Sequence, residues 1–367
     1  MKIVYIHHSP NLGGAPKSLT FLIEGLQKEM LDKCIVYTPK EGLGTDFISK
    51  SATKVRTDKR IIPFHNSLVS STSIKKKIKG IYGIMLAPFF VKMVLKEKPQ
   101  IIHLNSSCLV FYAFFIKIFS KETRVICHLR EPLLANMTSK IIIYILENYV
   151  DSIIAISENE VPENIKKEVS IISNPIYSIN TEQKNLFKHH GEHAKINFTY
   201  MARCNYENGI FDFIAAAKEI DKLDINVNFI IVGASDSDDK RVKIECEKIK
   251  NLKIYDISND IETYIMKSSC LIVPFKVPHF SRTLIEFGLS GIPSVIYDIN
   301  PLNNIITDNI NGFVSNCSVT SLIENIMKIS ANPQVLNDTS DNVFRDFRNK
   351  YNVQNAINKT LDIYNKI

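Results

Sequence analysis

Ser281, Arg282, Thr283 and Leu284 stand at the start of a short apolar-periodic run, and Glu286 falls one turn into it. The periodicity predicts a helix from Thr283 to Leu289, stopped by Gly291 and Pro293. The apolar run Cys270 to Val273 before it, closed by Pro274, and Ser294 to Tyr297 after it predict buried strands. The first amides of such a helix have no partner within the helix and attract phosphate. A carboxylate one turn further on is placed to accept hydrogen bonds from a ribose diol. Strand, loop, helix start and strand in that order suit a sugar nucleotide.

Four other clusters fall at expected strand ends, one of them IHLNS, Ile102 to Ser106. In NLGGAPKSL, Asn11 to Leu19, Gly13 and Gly14 let a backbone approach a ligand closely, and the helix start behind them favours an anion. The spacing is neither the dinucleotide fingerprint nor a P-loop. In HLREP, His128, Arg130 and Glu131 follow the apolar strand Arg124 to Cys127 and read as a functional cluster rather than core packing. In AISENE, Ser157 and Glu160 read as a local capping pair instead. Asp236 and Asp238 lie in a polar SDSDD loop that reads as solvated, so no metal site is expected.

The elements that must position these residues alternate in two series. Strands at Lys2 to His7, Cys34 to Tyr37, Ile101 to Leu104, Arg124 to Cys127, Ser152 to Ala155 and Val169 to Ile172 are separated by helical stretches, notably Lys17 to Met30, Ile74 to Lys96, Leu109 to Phe119 and Ser139 to Asn148. A polar stretch from Lys184 to Lys195 interrupts the pattern, which restarts at Asn197 to Met201. Short strands without internal alternation, separated by helices, mean parallel sheets covered on both faces. The expected fold class is α/β, two Rossmann-like doubly wound domains facing across a cleft: residues 1–180, residues 195–345, and a terminal helical segment 346–367. Ligands of such sheets bind at the carboxyl ends of the strands.

With 367 residues, 45% apolar and 23% charged, the chain has the composition of a globular protein. The short apolar start, MKIVYI, predicts a first strand rather than a signal peptide, and no apolar run is long enough to span a bilayer. Seven scattered cysteines without a Cys-x-x-Cys pair read as free thiols in a reducing cytosol. Charge is uneven: residues 1–195 hold 27 Lys and Arg against 17 Asp and Glu, and residues 196–367 hold 18 against 21. An anionic partner for the first half follows. No nucleic-acid-binding module is present, whereas Lys75, Lys76, Lys77 and Lys79 adjoin the apolar run Ile81 to Val94, a pattern fitting peripheral contact with an anionic membrane.

The Glu286 segment resembles the donor-binding loop of retaining GT-B glycosyltransferases, the glycosyl transferases group 1 (family 4-like) proteins. Glu286, Gly291 and Pro293 match that pattern, while the family's earlier glutamate falls on Pro278. The resemblance implies that Arg203, in YMARCNYENGI, clamps the donor diphosphate, and that the family's following lysine is replaced by Asn208. Lys276 or Arg282 would supply the second positive charge. It further implies that His128, Gly13 and Gly14 face the sugar, that Gly233 lies near the base, and that Arg130 and Glu131 lie on the acceptor side. His128, Arg203 and Glu286 are then the residues of the reaction. The implied activity is metal-independent transfer, with retention, from a UDP-, GDP- or similar sugar to a glycan or lipid-linked hydroxyl. It needs no cofactor and belongs to bacterial surface polysaccharide synthesis, O-antigen or capsule, in the cytoplasm or at the inner face of the membrane. Pro278 and Asn208 favour the alternative, a catalytically inactive scaffold. An epimerase or phosphorylase on the same architecture ranks lower, and a nicotinamide oxidoreductase lowest.

Overall fold

A computed structural model describes residues 1–29, 33–52, 54–64, 74–133, 136–176, 195–233, 240–256 and 260–366. The chain divides into two compact units, Met1–Ile176 with Val353–Ile367, and Tyr177–Asn352.

The first unit runs β1 (Lys2–Ile6), α1 (Gly14–Glu29), β2 (Lys33–Thr38), α2 (Leu43–Ser49), β3 (Lys54–Thr57), α3 (Ile74–Leu95), β4 (Ile101–Leu104), α4 (Phe111–Phe119), β5 (Arg124–Leu129), α5 (Met137–Tyr149), β6 (Ser152–Ala155) and β7 (Val169–Ile171). Its seven strands form one parallel sheet in the order β3-β2-β1-β4-β5-β6-β7. Both faces are apolar because both are covered. Val4, Ile6, Ile102, Leu104, Val125 and Cys127 pack under α3, α4 and α5. Their neighbours Ile3, Tyr5, Ile101 and Ile126 pack beneath α1 on the other face.

The second unit runs β8 (Ile196–Met201), α6 (Ile210–Lys222), β9 (Val227–Val232), α7 (Lys240–Cys246), β10 (Leu252–Tyr255), α8 (Ile261–Lys267), β11 (Cys270–Val273), α9 (Arg282–Leu289), β12 (Ser294–Tyr297), α10 (Leu302–Ile305), β13 (Phe313–Ser315), α11 (Val319–Ala331) and α12 (Gln334–Lys350). Its sheet has six strands in the order β10-β9-β8-β11-β12-β13, all parallel. The last helix, α13 (Val353–Lys366), belongs to the first unit. Its stripe Ala356, Ile357, Leu361 and Tyr364 joins the core under α1. The two helices approach closely because Gly25 has no side chain: a Cβ there would sit 2.0 Å from Ile357 Cδ1.

Five elements go beyond the expected pattern: α2, β3, α10, β13 and α12. The terminal helical segment accordingly starts at Val353 rather than 346, since residues up to Lys350 belong to α12. α12 is mostly polar, and a narrow stripe, Leu336, Thr339, Val343 and Phe347, is what it buries. Phe347 presses against Gly288 of α9, where a Cβ would come within 2.2 Å of its ring. That contact seats the helix carrying Glu286, and truncating Phe347 to alanine would cost about 3–5 kcal/mol.

Each sheet has one place where the strand order reverses, between β1 and β4 and between β8 and β11. Connections leave such a switch point toward opposite faces and open a crevice at the strand ends, where ligands bind.

Candidate functional site

At the β8–β11 switch the two strand-end loops are tied together. Lys276 N–H donates to the Glu207 carbonyl at 2.8 Å. Gly209 lies at φ 72°, and a Cβ there would fall 1.8 Å from the Pro274 carbonyl oxygen, so only glycine fits. Asn208, the position expected to lack a cation, is a buried brace: its Nδ2 donates to the Arg203 carbonyl at 2.9 Å and its N–H to Asn205 Oδ1 at 3.0 Å. Tyr200 Oη donates to the same carbonyl at 2.8 Å. The Arg203 backbone is therefore held from two sides, while its side chain is exposed.

The other two cations of this edge are neutralised. Lys276 Nζ lies 2.8 Å from Asp212 Oδ2, which also accepts from Tyr297 Oη at 2.8 Å, and 5.3 Å from the Tyr206 ring centroid. Arg282 Nε lies 2.7 Å from Glu286 Oε1, one turn along α9. Ser281 caps α9, its Oγ accepting from Leu284 N–H at 3.2 Å. The amides of Arg282 and Thr283 precede the first hydrogen-bonded turn, at the positive end of the helix. Position 278 is an exposed proline, and the neighbouring His279 stacks on Phe275 with ring centroids 4.0 Å apart. Gly233 follows β9 at φ 100°, a conformation that by itself demands glycine. Asp236 and Asp238 lie outside the described residues, and among those described no cluster of His, Cys, Asp or Glu is arranged for a metal ion.

The β1–β4 switch of the first unit gathers a buried polar network that the sequence only hinted at. Arg130 is buried. Its Nη2 donates to Asn105 Oδ1 at 2.7 Å, its Nη1 to Asn174 Oδ1 at 2.5 Å, and Nη2 also lies 3.3 Å from His128 Nδ1. With its oxygen taken by Arg130, Asn105 turns Nδ2 toward His7 Nδ1 at 2.9 Å. Guanidinium and amide nitrogens only donate, so both Nδ1 atoms accept and both imidazoles carry their proton on Nε2. The Nε2 atoms of His7 and His128 are buried without a partner. Burial first, then the Arg130 charge among its neighbours, holds His128 well below the usual histidine range; burial, His8 and Arg130 do the same for His7. Both rings are neutral N–H donors.

Beneath them His103 Nδ1 meets Tyr364 Oη of α13 at 2.7 Å, and Tyr364 Oη meets Tyr5 Oη at 3.1 Å. Burial, with Arg130 second, lowers His103 to about 3. Glu131 accepts from Ser106 Oγ at 3.2 Å. Ser157 has the local role expected of it: its Oγ caps a single 3-10 turn and donates to Glu160 Oε2 at 2.6 Å. Gly14 opens α1 and is exposed, and a Cβ on Gly13 would meet nothing within 4 Å, so packing does not demand that glycine. His7, Asn105, Asn174, Asp212, Tyr297 and Tyr364 are site members to which the sequence assigned no role, Asn105 appearing there only within the IHLNS cluster. The signal for the first two was present: polar residues ending the apolar strands KIVYIHH and IIHLN.

Residues 182–346 match the sequence model of the glycosyl transferases group 1. That match falls within the second unit. No curated protein matches the chain. Among solved structures, Anabaena HepE in complex with UDP and glucose is similar over 100% of both chains, with TM-score 0.78 and 14% identity. A glycosyltransferase from Rickettsia africae is similar over 100% of this chain and 98% of its own, with TM-score 0.74 and 14% identity. The lipopolysaccharide outer core galactosyltransferase WaaB is similar over 100% of both, with TM-score 0.71 and 16% identity. The fold of the whole chain is that of the GT-B glycosyltransferases.

Proposed function

We propose that the protein transfers a sugar, with retention at the anomeric carbon, from a nucleoside-diphosphate donor to a hydroxyl acceptor. One observation carries the reading. Of the three cations at the β8–β11 edge, Lys276 and Arg282 are paired with carboxylates, and Arg203 is left exposed on a braced backbone. Arg203 takes the donor diphosphate, joined by the first amides of α9, and no resident metal is required to offset the leaving group's charge. Glu286 holds the ribose. On the first unit, Gly13 and Gly14 line the sugar side, and the neutral His128 offers Nε2–H to a sugar hydroxyl.

The donor is a UDP- or GDP-type sugar. UDP is supported by the HepE complex, and a lipid-linked or polysaccharide acceptor, as in surface-polysaccharide synthesis, by the likeness to WaaB. Such work belongs in the cytoplasm, at the inner face of the membrane.

Titrating UDP, GDP and pyrophosphate calorimetrically tests this. Saturable nucleotide binding is expected, weakened about ten- to a hundredfold in Arg203→Ala, the worth of a charge-assisted hydrogen bond. Glu286→Ala should weaken UDP but spare pyrophosphate, because it removes the ribose contact and releases Arg282. Unchanged UDP binding in both variants refutes the assignment. Absence of any nucleotide binding by the unaltered protein would favour an inactive scaffold, the reading that Asn208 as a brace and Pro278 support.

A further inference from the structure

One helical layer of the first unit is apolar on its outer side. α3 buries Ala87, Phe90, Val91 and Val94 against the sheet. Its opposite stripe is no more polar: Ile81, Tyr82, Met85 and Phe89 are exposed, Met85 by 66% and Phe89 by 64%. Between its lysine-rich start and Lys92, α3 is apolar on both faces, and such a segment belongs in a core or against lipid. Yet no described helix is long and apolar enough to cross a membrane.

The patch continues sideways. α4 lies between α3 and α5. Phe119 of α4 sits under Lys92 of α3, with Nζ 4.8 Å from the ring centroid, and Phe114 meets Tyr149 of α5 at 5.0 Å. On α5, Met137, Ile141 and Tyr144 point outward at helical spacing. Single exposed apolar residues are ordinary, but a continuous field over three helices marks an interaction surface.

Charge selects the occupant. Across the three helices the sequence carries seven lysines and one acid, Glu147. Lys75, Lys76, Lys77 and Lys79 fall in the first turns of α3, their side chains outside the described residues. Lys92 and Lys140 are exposed among the apolar side chains, and Lys117 is paired with Asp151. A second copy of so cationic a face would repel the first. An anionic lipid surface accepts both features: the rings and Met side chains enter the headgroup boundary while lysines reach the phosphates.

We propose that the outer faces of α3, α4 and α5 form a membrane-docking platform for anionic lipid. The platform sharpens the membrane side of the proposed function and rests on the first unit alone. Co-sedimentation of the full chain with phosphatidylcholine vesicles, with and without phosphatidylglycerol, tests it. The unaltered protein should bind the phosphatidylglycerol vesicles at least about tenfold more tightly than the neutral ones. The double variant Met85→Glu, Phe89→Glu should lose at least about tenfold, with unchanged thermal unfolding because both positions are exposed. No binding, equal binding to both vesicles, or full binding by the variant overturns the platform. So does reversible dimerisation that the variant abolishes, since a second copy would then own the face. UDP titration of the same variant reports separately on the donor site, and its affinity should not change.

Discussion

Because a guanidinium donates and never accepts, Arg130 governs the orientation of two rings with one side chain. It fills the oxygen of Asn105, which turns that amide toward His7, and it lies against His128 directly. Both histidines then offer Nε2–H. The Arg130→Gln variant removes the charge that helps depress His128, so its pKa rises and the acid limb of the pH–rate profile moves to higher pH. Arg130→Lys keeps the charge but lacks the fork that spans Asn105 and Asn174, so it should leave that limb in place while lowering kcat about tenfold or more. A profile identical in all three proteins would remove Arg130 from the positioning role. Glu131, next in sequence, accepts from Ser106 Oγ.

Loops rather than regular elements set the second unit's site, and glycine geometry sets the loops. Gly209→Ala would force a Cβ into the Pro274 carbonyl at a positive φ, costing about 2 kcal/mol or more and parting the β8 and β11 loops. Its expected signature is a lowered thermal midpoint together with weakened UDP binding; nucleotide affinity retained at full strength would show that the loop tie is dispensable. The sequence carried the strands of this edge plainly: Cys270–Val273 and Ser294–Tyr297 are unbroken apolar runs, and they form where periodicity puts them. α12 was not legible because its four buried positions are spread over a polar background. The pairing of Lys276 was hidden for another reason: Asp212 lies 64 positions away in the chain, and only the β8–β11 switch brings the two together. Likewise Arg130 reads in sequence as a strand-end charge, and only the fold reveals that Asn105 and Asn174 enclose it.

For the molecule as a whole, folding buries three neutral histidines, all of them in the first unit. His7, His103 and His128 all have their pKa depressed on folding, His103 to about 3 from an ordinary 6.5. Below pH about 6.5 the unfolded chain takes up protons that the native rings refuse. Stability is therefore full above the unfolded value and falls as pH drops toward the folded values, by up to about 1.4 kcal/mol per pH unit for each group. Arg130, Tyr5 and Tyr364 face these rings, and none of them carries a negative charge to stabilise an imidazolium. Urea midpoints measured from about pH 8 down to about pH 5 should decline, and His103→Gln should flatten the decline. An equal slope in both proteins would assign the acid sensitivity elsewhere.

Tyr364, on the helix that follows the second unit, closes against Tyr5 and His103 of the first. During synthesis, the opening 176 residues leave the ribosome long before α13 does, so the nascent first unit must wait with its histidine layer unroofed. Chaperone dependence should thus fall on the amino-terminal half, until translation of the last helix seals it.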